Sequence, residues 1–223
     1  VELVHLGSLY HDDVMDEALL CRGAESANSR WGNTVAILTG DFLFARASDL
    51  LADLGPEAVR IQARTFERLC TGQIRETVGP QDGEDPVSHH LTVLADKTGS
   101  LIATSARFGA MMSGAPEAVV DTLTRFGERI GVAFQLSDDL IDIGSETAES
   151  GKTPGTDLRE GVQTLPVLMA LADPSTDPRL RELLSGPISD DADHAEALAG
   201  LRAHPAMDLA REELNRWARE AQE

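Results

Sequence analysis

Two short runs of aspartate have the spacing and chemistry to bind metal ions. They are YHDDVMDEALLCRG at 10–23, with Asp12, Asp13 and Asp16, and SDDLIDIG at 137–144, with Asp138, Asp139 and Asp142. The first and last aspartates of each run are four residues apart, so on a helix they share one face, where like charges repel by a few tenths of a kcal/mol. Carboxylate oxygens are ligands that Mg²⁺ prefers, often together with substrate phosphates. The repeated pattern therefore predicts two Mg²⁺-binding clusters.

The setting of the two clusters favours this interpretation over a solvated acidic helix end. The apolar segment LVHLGSLY precedes the first cluster, and IGVAFQL precedes the second. Carboxylates beside a core are costly unless a cation neutralises them. Each cluster also falls near the C-terminus of a predicted helix, where the macrodipole disfavours anions. A divalent cation would offset both costs.

The only two lysines of the chain stand in sequences suited to phosphate binding. Lys97 lies in DKTGS and Lys152 in SGKTPGTD, each with a threonine and a glycine close by. Ammonium, hydroxyl and backbone N–H groups together suit phosphate oxygens. We therefore expect both lysines to contact an anionic ligand.

The elements that position these residues are predicted to be helices throughout. The apolar spacing and the Pro and Gly signals predict helices over 1–20, 33–54, 56–78, 86–112 and 116–143, with further helices from 165 and from 205 to the end. No segment shows the alternation of a strand. The sequence thus predicts an all-α, single-domain helical bundle over 1–223, with the clusters facing each other across a central cavity. The longest irregular segment is 144–164, and within it the loop 144–161 is predicted to be a functional lid that Lys152 closes over diphosphate.

Composition excludes some classes of protein. The formal net charge of −19 argues against nucleic acid as a partner, because a phosphate backbone requires a basic surface. No apolar run reaches eighteen residues, so no transmembrane helix is expected. Cys21 and Cys70 match no disulfide or metal pattern and suit a reduced, cytoplasmic protein. The sequence starts at Val1 within a helical pattern, so we expect a chain truncated at its N-terminus.

Together, these motifs resemble the trans-type polyprenyl diphosphate synthases. The resemblance rests on the order of the first cluster, KTGS, FQLSDD and GKTPGTDLREGVQTLP, and it covers essentially the whole chain. It implies an isoprenoid-synthase bundle that forms a homodimer. It also implies a Mg²⁺-dependent reaction that joins isopentenyl diphosphate to an allylic diphosphate and releases diphosphate.

The resemblance also implies a role for individual residues. It makes Asp12 and Asp16 Mg²⁺ ligands with support from Asp13, and Asp138 the main ligand of the second cluster, with Asp139 and Asp142 nearby. It implies that the residues contacting the allylic substrate or its diphosphate are Lys97, Thr98, Gln135 and Lys152. Arg22 would contact isopentenyl diphosphate.

Three departures from the family pattern keep other functions open. Cys21 replaces the family's first arginine after the first cluster, Val162 replaces a common lysine, and the upstream Gly-Gly-Lys-x-x-Arg-Pro motif is absent. Cys21 and the missing motif would suit a non-catalytic or partner-dependent subunit. A class I terpene cyclase shares the bundle and first cluster, but the second DDLID and the following GK argue against it.

The residues before the first cluster predict the length of the product. In the family, bulky residues four and five positions before this cluster close the floor of the cavity. Those positions are Ser8 and Gly7 here, and both are small. One helical turn rises about 5.4 Å, near the length of one isoprene unit. We therefore expect a product longer than about twenty carbons, with close helix packing as the alternative explanation for the two small residues.

Overall fold

The computed structural model describes residues 1–21, 23–144 and 154–223, which fold as a helical bundle. The elements in chain order are α1 (Glu2–Met15), β1 (Leu20–Cys21), β2 (Ala24–Glu25), α2 (Ala27–Trp31), α3 (Asn33–Ala52), α4 (Pro56–Val78), α5 (Pro86–Leu94), a π-helical turn (Ala95–Gly99), α6 (Ser100–Met112), α7 (Glu117–Gly144), α8 (Thr156–Glu160), α9 (Leu165–Ala172), α10 (Pro178–Leu183), α11 (Asp191–Ala203) and α12 (Ala206–Glu220). The predicted all-α fold class is confirmed.

The helix boundaries follow the capping signals of the sequence. Asp85 caps α5, because its carboxylate accepts a hydrogen bond from the backbone N–H of Ser88 at 2.8 Å. Pro86 and Pro56 occupy the first turns of their helices, where a missing N–H costs nothing. These local signals explain why the predicted starts of α4 and α5 are confirmed.

The segment after α1 differs from the prediction. The helix ends at Met15, and Glu17 takes a φ of +51° that turns the chain out of the helix. A two-stranded antiparallel hairpin follows, so the prediction that the chain contains no strand is wrong here. Ser26 caps α2 and its hydroxyl donates to the carbonyl of Ala18, as does the Asn28 amide at 3.0 Å. These bonds fix the turn in place of a longer α1.

The predicted helix 86–112 is continuous but contains a π-helical turn. Ala95–Gly99 joins α5 to α6 without a break. A π turn holds an extra residue in its hydrogen-bonded ring, and such turns often occur at functional sites. Here the turn carries both Lys97 and Thr98.

Two apolar clusters hold the bundle around these elements. The larger one lies between α7, α9, α11 and α12, and its fully buried members include Leu136, Ile143, Leu165, Leu201 and Met207. The smaller one joins α1, α3, α4 and α6 through Val4, Ala47, Leu69 and Leu101. The helix that carries the first aspartate cluster therefore packs in a different part of the bundle from the helix that carries the second.

Glycines allow the closest helix approaches. A Cβ atom at Gly131 would lie 2.8 Å from the Cα of Gly99, so the π turn packs directly against α7. A Cβ atom at Gly40 would lie 2.9 Å from the carbonyl oxygen of Gly7, which brings α1 close to α3. The first of these contacts places Thr98 beside the helix that carries the second cluster.

No helix in residues 1–21, 23–144 or 154–223 combines the length and apolarity needed to cross a membrane.

Candidate active site

The first aspartate cluster lies at the C-terminal end of α1, where Asp16 is the C-cap, and it is short of positive charge. Burial raises the pKa of Asp12 to about 6, and Lys97 partly opposes the rise. The charges of Asp16, Glu76 and Asp13 add to it. Burial also raises the pKa of Asp16, again with Lys97 opposing. These carboxylates are thus crowded and incompletely compensated, which suits them to a divalent cation.

Lys97 reaches this cluster from the π turn. Its ammonium forms an ion pair with Glu76 of α4. The close approach depends on Gly72, where a Cβ atom would lie 2.9 Å from the Cγ of Lys97. Sequence reasoning missed Glu76, because a glutamate near the end of an amphipathic helix looks like an ordinary solvated residue.

The second cluster is connected to the same π turn through side-chain hydrogen bonds. The Thr98 hydroxyl donates to Oε1 of Gln135 at 3.3 Å, and Nε2 of Gln135 donates to Oδ1 of Asp139 at 3.4 Å. Asp139 is only 4% exposed. The structure therefore brings together three residues that the sequence analysis selected.

Asp142 of the second cluster also organises the start of α8. Its two carboxylate oxygens accept hydrogen bonds from the backbone N–H groups of Thr156 and Asp157, each at 3.2 Å. Burial raises the pKa of Asp157 to about 7, and the charges of Asp142 and Asp139 add to the rise. Asp157 was not predicted as a site residue, although it stands in the GTD of the quoted family motif.

The carboxylates suit a metal ion, but the described residues do not form a closed metal site. No three His, Cys, Asp or Glu side chains converge closely enough to hold one ion in the part of the chain that the structure covers. Oδ2 of Asp139 is buried without a hydrogen-bond partner among these residues. An open set of hard oxygen donors fits Mg²⁺, which usually keeps waters and phosphate oxygens in its coordination shell.

Some predicted site residues lie outside the described residues. These are Arg22 and the segment 145–153, which includes Lys152 and makes up half of the predicted lid. Cys21 is partly buried in β1, where it pairs with Ala24.

The raised carboxylate pKa values predict how stability depends on pH. A carboxyl group whose folded pKa exceeds its unfolded value binds more protons when folded, so stability falls as pH rises from about 4 to 7. We expect Asp157→Asn to remove this loss and to raise the free energy of unfolding at pH 8 by about 2 kcal/mol, after allowance for solvent screening. Urea unfolding at pH 5 and pH 8 in the presence of a chelator measures the free energy of unfolding of both proteins.

The exposed Asp121→Asn on α7 is the matched control, and its stability should follow that of the wild type at both pH values. An Asp157→Asn protein that loses as much stability as wild type between pH 5 and pH 8 would contradict the prediction.

Comparison with known proteins places this arrangement in a family. The sequence matches the polyprenyl synthetase family over residues 1–201. It is 56% identical over 222 residues to nonaprenyl diphosphate synthase of Mycobacterium tuberculosis, covering 99% of this chain and 66% of that protein. It is 46% identical over 225 residues to dimethylallyltranstransferase of the same organism, covering 100% and 68%.

A solved structure agrees with these sequence matches. Geranylgeranyl pyrophosphate synthase from Corynebacterium glutamicum, complexed with calcium and isoprenyl diphosphate, superposes with a TM-score of 0.86 at 48% identity. The match covers 99% of this chain and 67% of that one. The chain thus spans about two thirds of the length of these relatives. With the two aspartate clusters, the KT pair and the helical bundle all in place, the chain belongs to the polyprenyl synthetase family.

Proposed function

We propose that the protein joins isopentenyl diphosphate to an allylic prenyl diphosphate and releases inorganic diphosphate. The observation that supports this most strongly is the π turn. It directs Lys97 towards the first aspartate cluster and Thr98 towards the residues of the second. An allylic diphosphate bound between the clusters would have a cation at its leaving group and neutral polar groups at its reacting carbon.

The chemistry requires a bond to break and another to form at the same carbon. The carbon–oxygen bond of the allylic diphosphate breaks, and its electron pair leaves with the diphosphate. The double bond of isopentenyl diphosphate forms the new carbon–carbon bond, and loss of a proton restores a double bond. The departing negative charge and the allylic cation must both be stabilised.

The residues of this chain divide those tasks. Asp12, Asp16 and Asp138 would hold Mg²⁺, with Asp13, Asp139 and Asp142 in support, and bound Mg²⁺ neutralises charge on the leaving diphosphate. Lys97 donates to diphosphate oxygens. The oxygens of Thr98 and Gln135 face the developing cation. The apolar cluster that includes Leu101, one turn from Thr98, would keep water away from it.

Incorporation of labelled isopentenyl diphosphate into a prenyl diphosphate tests the proposal. Purified protein with Mg²⁺ and an allylic primer should yield extended products. A cyclised hydrocarbon would indicate the terpene cyclase instead. Cys21, at the position of a family arginine, favours a partner-dependent subunit as the second candidate. Inactivity alone with activity on mixing with a second synthase would support that function.

We also propose a product longer than twenty carbons, with Ser8 rather than Gly7 as the residue that leaves room for it. A Cβ atom at Gly7 would lie 2.9 Å from Cε1 of Phe44, so Gly7 serves the contact between α1 and α3. This favours the packing explanation for that position. Ser8 is buried and lies one turn from Val4, which belongs to the cluster joining α1 to α4 and α6. A bulky residue at Ser8 would project towards that interior.

Ser8→Phe should therefore shorten the product by one or more isoprene units, because a ring at this position occupies about one turn of the cavity. Chromatography of dephosphorylated products measures the chain length. Ser48→Phe, on the exposed part of α3, is the control and should leave it unchanged. A wild-type product of fifteen or twenty carbons that is the same in Ser8→Phe would place the floor elsewhere.

We propose that the protein is a homodimer that associates through α3. Val35, Leu38 and Phe42 form one exposed apolar stripe on this helix, and Phe42 is 66% exposed. Their spacing of three and four residues places them on one face. Contiguous exposed apolar side chains of this kind mark interaction surfaces.

Phe42→Asp should shift the dimer to monomer by placing a charge within the apolar contact. Light scattering at several protein concentrations measures the mass. Phe126→Asp introduces the same change on the exposed face of α7 and should leave the dimer intact. A dimer that persists in Phe42→Asp would exclude α3 as the interface.

A further inference from the structure

His90 of α5 makes an unexplained contact with the second aspartate cluster. Its Nε2 lies 3.4 Å from Oδ2 of Asp139, and the two side chains are 14% and 5% exposed. Within the described residues, neither atom has a hydrogen-bond partner that meets normal geometry. Two buried polar atoms that face each other at this distance are close to a hydrogen bond but do not complete one.

We propose that His90 is a positioning residue that orients the Asp139 carboxylate for binding of a metal–diphosphate ligand. The inference rests on the proposed function and deepens it, since it names a residue that acts through a member of the second cluster. Groups that hydrogen-bond to metal-binding carboxylates fix their orientation, and losing them typically costs about ten- to a hundredfold in metal affinity.

The two oxygens of Asp139 are approached by side chains from two different elements. Nε2 of Gln135 reaches Oδ1 from within α7, and His90 approaches Oδ2 from α5. Gln135 in turn accepts the hydrogen bond of Thr98. We therefore expect the Asp139 carboxylate to keep a defined orientation relative to Thr98 and Gln135. Gln135 contributes to this orientation from α7 itself, and His90 contributes from the neighbouring helix α5.

At 3.4 Å the contact is longer than a normal hydrogen bond. Only a proton on Nε2 is needed, so the role does not depend on a charged ring. A ligand that draws Asp139 into coordination would leave one carboxylate oxygen to accept a hydrogen bond from this N–H group. We therefore expect the distance between Nε2 and Oδ2 to shorten in the complex.

The preceding residue provides a matched control. His89 is also buried, and its Nδ1 lies 3.0 Å from Oε2 of Glu84. Its Nε2 lies 3.2 Å from the carbonyl oxygen of Arg75 at the end of α4. This histidine joins α5 to a neighbouring loop and helix without contacting either aspartate cluster.

Calorimetric titration with inorganic diphosphate in the presence of Mg²⁺ tests the proposal without measuring turnover. We expect His90→Leu to weaken binding about tenfold or more, because it keeps the volume and removes the donor. His90→Gln places an amide N–H near the position of Nε2 and should retain affinity within about threefold of wild type. His89→Leu should lower thermal stability while binding diphosphate as wild type does.

The outcomes separate this inference from the function on which it rests. Wild-type protein that binds no diphosphate with Mg²⁺ would overturn both. Equal affinity in wild type and His90→Leu, or an equal loss in His90→Leu and His90→Gln, would overturn the positioning role alone. If His90→Leu does not fold, His90→Asn replaces it, since its shorter amide cannot reach Oδ2. A diphosphate affinity that falls in His90→Asn but not in His90→Gln then supports the positioning role. Equal affinities in the two variants overturn it.

Discussion

Asp12→Asn should reduce incorporation of isopentenyl diphosphate about a thousandfold while leaving the fold intact. The change keeps the size of the side chain and removes a carboxylate whose pKa responds to the charges of Lys97 and Glu76. Losing one preorganised electrostatic contact to a developing charge typically costs about a hundred- to a thousandfold in rate. We expect loss of a Mg²⁺ ligand to fall at the upper end of this range of rate losses, since it weakens metal binding and slows departure of the diphosphate.

The stability of the same variant provides an independent measurement. Because burial raises the pKa of Asp12 to about 6, the ionised carboxylate is unfavourable in the metal-free protein. Asp12→Asn should then be at least as stable as wild type at pH 8 in a chelator, although its activity is nearly lost. Asp53→Asn, at the exposed end of α3, should match wild type in both activity and stability. Turnover within tenfold of wild type in Asp12→Asn would exclude Asp12 as a metal ligand.

The parts of the fold that sequence predicts well are those determined within one or two turns of helix. The pair Asp85 and Pro86 predicts where α5 begins, because an N-cap hydrogen bond and the fixed φ of proline depend only on neighbouring residues. The π turn at Ala95–Gly99 has no such signal. It depends on the packing of Gly99 against Gly131 of α7, a contact between residues in different helices. Periodicity therefore predicts the helix and misses its irregular turn.

The candidate site also contains residues that a local sequence pattern predicts and residues that only tertiary packing brings into place. The aspartate spacing is a local pattern, so both clusters could be identified from the sequence. Glu76, Asp157 and His90 acquire their positions only when separate elements pack together. His90 had a weak signal in the pair of adjacent histidines on α5, but nothing local distinguishes the one beside Asp139 from the one beside Glu84.

Gly7 shows why a residue type alone does not establish a role. A small residue before the first cluster is consistent both with an open cavity floor and with a close helix crossing. The position of Phe44 and Gly40 against Gly7 favours the crossing. Ser8 is the next residue along the chain, but its side chain points about 100° away around the helix. Two neighbouring small residues can therefore serve different purposes.

Lys97→Met should lower turnover about a hundredfold or more and weaken Mg²⁺-dependent binding of diphosphate about ten- to a hundredfold. A charge-assisted hydrogen bond to a phosphate oxygen contributes on the order of 1.5–3 kcal/mol, which gives that range in affinity. Methionine keeps much of the length and the apolar stem beside Gly72, so packing of the π turn on α4 should survive. The charge of Lys97 also lowers the pKa of Asp12 and Asp16, so the variant should bind Mg²⁺ less well below pH 7.

Glu76→Gln separates this role from a structural one. Lys97 is paired with Glu76, so the pair itself could hold α4 against the π turn. If holding these two elements together were the only function of the ion pair, Lys97→Met and Glu76→Gln would lose similar stability. Neither variant would then change the affinity for diphosphate. Because the pair is partly exposed, its own contribution should be no more than about 1 kcal/mol. We expect Glu76→Gln to bind diphosphate at least as tightly as wild type, since Lys97 no longer has to leave a carboxylate to reach the ligand. Diphosphate affinity that is unchanged in Lys97→Met would show that the ammonium does not contact the leaving group.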